Sequence, residues 1–257
     1  MLKIIPLLLF LLTWGLSAQA TLITETNTGP QFIKYFVESK AVADNKIGNV
    51  TQLALHVVLP LDYKTSNLRY PVVYFLHGHG DTPQGVRNWL ALLNKAFEGR
   101  QGFILVGVEG KNKLQGGFYA NSPLTGRWED WLVKETVPFI DATLRTIPKA
   151  ESRGLFGFSM GGFGVLFNGL RHPDIFSCVF ATGPGVIHPE GGMEEAYNSW
   201  DGAENFVSGY GGAFAGSLDL RPEFSGTKED NLLVEKWASG FGQWDKKIDA
   251  YLANPFV

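Results

Sequence analysis

The 257-residue sequence predicts an α/β fold with a mostly parallel sheet flanked by helices. Three observations carry this. Tyr70–Leu76 (YPVVYFL) and Phe103–Val108 (FILVGV) are short apolar runs of strand-forming residues, the pattern of strands buried on both faces. Segments with apolar residues at helical spacing alternate with them, and strand–helix alternation implies right-handed crossovers between parallel strands. Finally, Gly157–Gly162 (GFSMGG) places a tight turn between a short strand and a helix. Sheets of this kind carry their chemistry at the carboxyl ends of the strands.

In chain order, Lys3 and the apolar run Ile4–Leu16 precede Ala18-Gln19-Ala20, the layout of a cleaved leader too short to span a membrane comfortably. Residues 1–20 are therefore expected to be a signal peptide. The mature chain is expected to be secreted or periplasmic, with no stable membrane span. Residues 21–257 are expected to form one domain, because no Pro/Ser-rich linker or charge run divides them. Gln52–Pro60 alternates, with Leu53, Leu55, Val57 and Leu59 on one face, and predicts a strand with that face buried. Gln84–Phe97 and Trp128–Leu144 have helical spacing, the second with a bend or break at Pro138. Gly154–Phe158 predicts a strand, Met160–Arg171 a helix and Cys178–Thr182 a further strand. Residues 184–227, rich in glycine, aromatics and acids, predict a lid or surface loop, and Lys228–Ala253 a helix.

Composition narrows the function. A net charge of -3 without a basic block argues against nucleic acid as a partner. Cys178 is the only cysteine, so no intrachain disulfide forms. Gly209–Gly212 (GYGG) lacks the preceding strand and the following Lys-Ser/Thr of a phosphate loop.

The chemistry-bearing signal is Gly157-Phe158-Ser159-Met160-Gly161, a match to G-x-S-x-G in a strand–turn–helix context. Such a turn is too sharp for side chains at its glycine positions, and it lifts the serine hydroxyl above the sheet edge. The helix N-terminus and the Met160 backbone N–H then face a developing oxyanion. A mere structural turn is the alternative. A second signal, His77-Gly78-His79-Gly80-Asp81, follows the YPVVYFL strand directly. A second oxyanion donor comes from such a loop, here the backbone N–H of His79, while His77 reads as a satisfied histidine orienting the loop. Zinc on His77 and His79 would need further ligands that the sequence does not place.

FLHGHGD, NSPLTGRWEDWL and GLFGFSMGGFGVLFNGLRHPDIFS together resemble the putative esterase (esterase D-like) family. That family includes feruloyl and acetyl-xylan esterases, S-formylglutathione hydrolases and antigen 85-type mycolyltransferases. The resemblance covers roughly residues 53–182. It implies an α/β-hydrolase fold, no cofactor, and ester hydrolysis through an acyl-serine. It further implies Ser159 as nucleophile and His79 and Met160 as oxyanion donors. Trp128 and Glu129 read as packing and capping residues.

A serine nucleophile needs a base, and in this fold the order is Ser, then Asp or Glu, then His. His172 and Asp174 lie past the helix that starts at Met160, about 18 Å from the serine and toward the wrong sheet edge. His188 emerges at the correct edge, but no acid on a suitable strand end precedes it. The sequence is thus expected to be truncated before the last strands, with the acid and histidine beyond Val257; a pseudoenzyme is the alternative. The leading function is a serine carboxylic-ester hydrolase acting on a small-molecule or carbohydrate-linked ester. Tyr197–Trp200 and Tyr210–Phe214 suit a carbohydrate, but burial explains such aromatics equally well. Acyl transfer to a sugar, or non-catalytic binding on a degenerate hydrolase fold, are the other readings.

Overall fold

The computed structural model describes residues 20–185. The expected leader before Ala20, the lid segment beyond Gly185, His188 and the helix at Lys228–Ala253 lie outside them. Seven strands form one mixed sheet in the order β1 (Thr21–Gly29), β2 (Phe32–Glu38), β3 (Gln52–Val58), β5 (Ile104–Val108), β4 (Val72–Leu76), β8 (Arg153–Phe158) and β9 (Cys178–Thr182). From β5 to β9 all neighbours are parallel. β1, β2 and β3 form an antiparallel meander, and β3 joins β5 antiparallel. A separate two-stranded ribbon pairs β6 (Asn121–Ser122) with β7 (Gly126–Arg127).

The parallel half is where the apolar runs predicted it. β4 and β5 are covered on both faces. Val72, Tyr74, Leu76, Ile104, Val106 and Val108 point into the main core, while Phe75 and Leu105 point into a second cluster with Val58 and Val86. β3 differs from the expectation of one buried face, since every residue from Leu53 to Val58 is buried. The turn at Pro83–Trp89 roofs its second face; a Cβ on Gly107 of β5 would lie 2.3 Å from the Pro83 carbonyl oxygen, so backbone rests almost directly on backbone.

That same turn corrects the helix expected over Gln84–Phe97. Pro83–Trp89 is a 3-10 helix, and only α1 (Leu90–Ala96) is α-helical. The Trp128–Leu144 segment is helical throughout but changes pitch: α2 (Trp128–Asp130), a π-wound stretch over Trp131–Thr136, then α3 (Val137–Thr143). Pro138 has no N–H to donate and its ring crowds the carbonyl four residues back. The chain widens one turn ahead of it, and Val137 N–H reaches Leu132 O, five residues away.

α4 (Met160–Arg171) and β9 have the bounds read from sequence. Trp128, fully buried, donates Nε1–H to the Thr125 carbonyl (2.9 Å), and its ring lies against Gly117. Glu129 Oε1 accepts from Arg171 Nε (3.0 Å) and from His172 Nε2 (2.8 Å), pinning the last turn of α4. Both residues pack and cap, as expected. Among the described residues no helix is long and apolar enough to cross a membrane.

Candidate active site

β4 is the point where the chain reverses its direction of growth, with β5 on one side and β8 on the other. Ligand sites of open α/β sheets form at such points, beyond the carboxyl ends of the strands. The register makes this edge flush: Leu76 sits opposite both Val108 and Gly157, and Phe158 opposite Thr182. His77, Glu109, Ser159 and Gly183 therefore leave their strands side by side.

Ser159 links β8 to α4 with φ 54° and ψ −120°. A non-glycine residue held at positive φ costs on the order of 1–3 kcal/mol and persists only where its surroundings over-determine it. The surroundings do so here. Ser159 N–H donates to Thr182 O (3.1 Å), and its carbonyl accepts from Phe163 N–H (3.0 Å) and Gly185 N–H (2.8 Å). The glycines leave no slack either. A Cβ on Gly157 would stand 2.5 Å from Gly161 O, and one on Gly161 only 1.8 Å from Leu76 O. Side chains at either position would push the helix off the sheet.

Ser159 itself is half-buried. Met160 is fully buried, and its N–H is among the first of α4, which have no intrahelical acceptor. Gly185 backs onto this N–H, where a Cβ would be 3.3 Å away. Among the described residues no imidazole or carboxylate hydrogen-bonds the Ser159 hydroxyl. His172 is at the far end of α4 on Glu129, as its place in the sequence indicates.

The loop after β4 lies against the elbow. A Cβ on Gly78 would sit 3.7 Å from the Ser159 Cβ, an ordinary contact that leaves the two backbones adjacent. His77 is fully buried, and its ring is engaged on both sides: Nδ1 with Gly78 O (2.8 Å) and Nε2 with Gly110 N–H (2.9 Å). The His79 ring meets the Leu114 carbonyl through Nε2 (3.1 Å). A carbonyl only accepts, so that nitrogen carries the proton. Both imidazoles are thus committed to backbone, as expected for His77 and as required if His79 acts through its main chain.

Sequence reading missed a third loop, residues 109–117, which brackets the second. Gln115, at φ 67°, presents its carbonyl to Gly80 N–H (2.9 Å), and Lys111 Nζ donates to Gly80 O (3.0 Å). Asn112 Oδ1 accepts from Leu114 N–H (2.8 Å) and Gly116 N–H (3.1 Å), which gives the loop its shape. Gly116 abuts the elbow, since a Cβ there would clash with Met160 Sδ (2.3 Å) and the His79 ring (2.8 Å). The available signal was position: GKNKLQGG directly follows a strand, FILVGVE, that ends at the same edge. A cavity of about 340 Å³ lined by Leu61, Asp62, Phe97 and Arg100 opens at the amino ends of β4 and β5, the opposite edge from Ser159.

Comparisons with known proteins bear on this site. The model of a family described as putative esterase matches residues 50–200. An esterase of Mycobacterium tuberculosis is 29% identical over 177 residues, covering 67% of this chain and 36% of that protein. An endo-1,4-beta-xylanase/feruloyl esterase of Xylanibacter ruminicola is 30% identical over 145 residues, 52% of this chain and 20% of that one. The chain thus spans about a third or less of the length of these two relatives. Among solved structures, a ferulic acid esterase superposes with a TM-score of 0.53 at 20% identity, covering 82% of this chain and 86% of that one. A substrate-bound, fluorophosphonate-binding serine hydrolase of Staphylococcus aureus superposes with a TM-score of 0.52 at 17% identity, covering 84% and 76%. At these identities the two structures bear on the fold alone.

Proposed function

This chain belongs to the putative esterase family and has an α/β-hydrolase fold, and on that premise we propose that it hydrolyses carboxylic esters with Ser159 as nucleophile. The observation that carries the proposal is the strained Ser159 backbone at the switch-point edge, φ 54° on a residue with a Cβ. Ser159 Oγ attacks the acyl carbonyl and loses its proton to a base. The tetrahedral oxyanion collapses, the alcohol leaves with a proton, and an acyl-serine remains. Water then releases the acid and restores the hydroxyl. The oxyanion lies between the backbone N–H groups of Met160 and His79; a single donor of this kind is worth about 10²–10³ in rate.

The base comes from outside the described residues, and His188 is the one histidine that follows Gly185 in the sequence. The acyl group is proposed to be carried on carbohydrate, because a relative 30% identical over 145 residues is named an endo-1,4-beta-xylanase/feruloyl esterase. The leader-like residues 1–20 support secretion, and sequencing the mature N-terminus tests this.

The test of the proposal is covalent labelling of residues 21–257 by a fluorophosphonate. Labelling that disappears in Ser159→Ala is the expected result, and further loss in His188→Ala assigns the base. A folded protein that does not label refutes a serine activated by His188, and one that labels equally without Ser159 overturns the proposal.

A further inference from the structure

The ring of His77 is buried at the junction of the oxyanion loop and its bracket, and only one arrangement of its protons satisfies both neighbours. Gly110 N–H can only donate, so Nε2, 2.9 Å away, must be the bare acceptor nitrogen. Glu109 Oε1 lies 3.3 Å from the same nitrogen but accepts instead from Lys111 N–H at 3.0 Å. The proton of the neutral ring therefore sits on Nδ1, which donates to the Gly78 carbonyl at 2.8 Å.

This bond grips the peptide that joins Gly78 to His79. That peptide is trans, so its N–H points opposite to its C=O. Turning the carbonyl toward the buried ring turns the His79 N–H away from that ring. Glycine at 78 leaves this peptide without a side chain of its own to set its orientation, and even a Cβ placed there would meet Phe158 and Ser159 no nearer than 3.6–3.7 Å. The loop is tied besides at Gly80, to Gln115 O and Lys111 Nζ, and at the His79 ring, to Leu114 O, and the Gly78 carbonyl also accepts from Asp81 N–H (3.2 Å) within the loop.

We propose that His77 is a positioning residue for the ester-hydrolysing reaction: its Nδ1–H tautomer, enforced by Gly110 N–H, holds the Gly78–His79 peptide with its N–H toward the oxyanion. The inference rests on the reading of Ser159 and His79 given above. His77 touches no reacting atom. It acts through the Gly78 carbonyl, and the bracket loop acts through it.

Two near-isosteric variants separate this from a role in packing. His77→Asn keeps a donor at the δ position for Gly78 but has no atom to accept from Gly110. His77→Gln reaches the ε position to accept from Gly110 but has no donor at δ. The expected result is a fluorophosphonate labelling rate for His77→Asn within a few-fold of wild type. For His77→Gln a fall of roughly 10²-fold is expected, the loss typical of one oxyanion donor, with KM for an aryl ester little changed. Equal rates in the two variants, both retained or both lost, or the reverse order, overturn the proposal. The tautomer is read without any activity, from the ¹⁵N shifts of the labelled imidazole. A proton found on Nε2 overturns the proposal whatever the serine does, whereas a protein with the Nδ1–H ring that fails to label refutes only the reading of Ser159.

Discussion

Replacing Gly161 with alanine tests whether the elbow is held by backbone contact. The new Cβ would lie 1.8 Å from Leu76 O, 2.4 Å from Leu76 C and 2.9 Å from His77 O, whereas real Cβ atoms essentially never come within 3.0 Å. α4 must therefore retreat from β4 by about an ångström, because neither neighbour is a side chain that can rotate away. Over-packing a core by one carbon costs about 1–3 kcal/mol when side chains yield. With backbone on both sides the upper end applies, about 3 kcal/mol or more. For a domain of this size each kcal/mol lowers the melting point by about 2–4 °C, which predicts a fall of roughly 6–12 °C. The same retreat displaces Ser159, and a misplacement of about 1 Å costs up to roughly 10² in rate. Gly154→Ala is the control. Its Cβ meets nothing nearer than 3.4 Å, and alanine in a strand gains about 0.5–1 kcal/mol over glycine. Circular-dichroism melts and fluorophosphonate labelling of both variants decide the matter. Gly161→Ala melting within about 2 °C of wild type, less than the cost of 1 kcal/mol, and labelling normally would refute the argument.

Three further outcomes follow from groups away from the serine. His56 is held down to about 4, first by burial and then by Lys34 and Arg87; the folded state resists protonation, so stability is full above the ordinary histidine range and falls as pH drops from about 6.5 toward 4. His56→Gln should flatten the melting curve against pH in that window, and an imidazole NMR titration midpoint near the ordinary value would sink the idea. Glu135 is buried with its carboxylate on Ser39 Oγ and on Lys40 and Ala41 N–H, yet desolvation raises its pKa. Folding thus favours its protonated form, so its contribution declines as pH rises through the carboxylate range, and denaturant unfolding of wild type against Glu135→Gln should show the gap shifting toward glutamine at higher pH. Glu129→Ala leaves Arg171 and His172 without their buried acceptor and should cost about 3 kcal/mol in urea unfolding. Labelling of Ser159 below the melt should be unchanged, and its loss would mean that the Glu129–His172 pair reaches the chemistry.

Much of the parallel half was legible because its signals are local. YPVVYFL and FILVGV are strands buried on both faces that end at His77 and Glu109, and a strand–glycine–serine–helix sequence announces its own turn. The antiparallel meander was less legible. β1 reads TLITETNTG, polar and solvent-facing along most of its length, so no apolar alternation marks it. The second buried face of β3 depends on a turn thirty-odd residues later in the chain, which no local pattern announces. Pro138 was visible, but the sequence around it does not say that the helix answers with a π-wound stretch over Trp131–Thr136. At the site, Ser159 and the His77–Gly80 loop stand out by residue type. The bracket of residues 109–117 works through main-chain groups: the Gln115 carbonyl, the Gly110 N–H, a glycine at 116 that makes room for Met160. Such roles are assigned by tertiary approach, and only the position of the loop after a strand end hints at them.

The mixed sheet also sets an order of assembly. β1 and β2 meet across the short reversal at Gly29–Phe32, whereas β4 must find β8 with Val72 opposite Arg153. Loop closure grows with the logarithm of the span, so joining the second pair costs about 3 kcal/mol more chain entropy than joining the first. The meander can therefore form early and cheaply, while the serine turn acquires its strained dihedrals only after β8 is seated between β4 and β9. During refolding, amide protection in β1–β3 should precede the return of labelling at Ser159, making the nucleophile a reporter of the last step of folding.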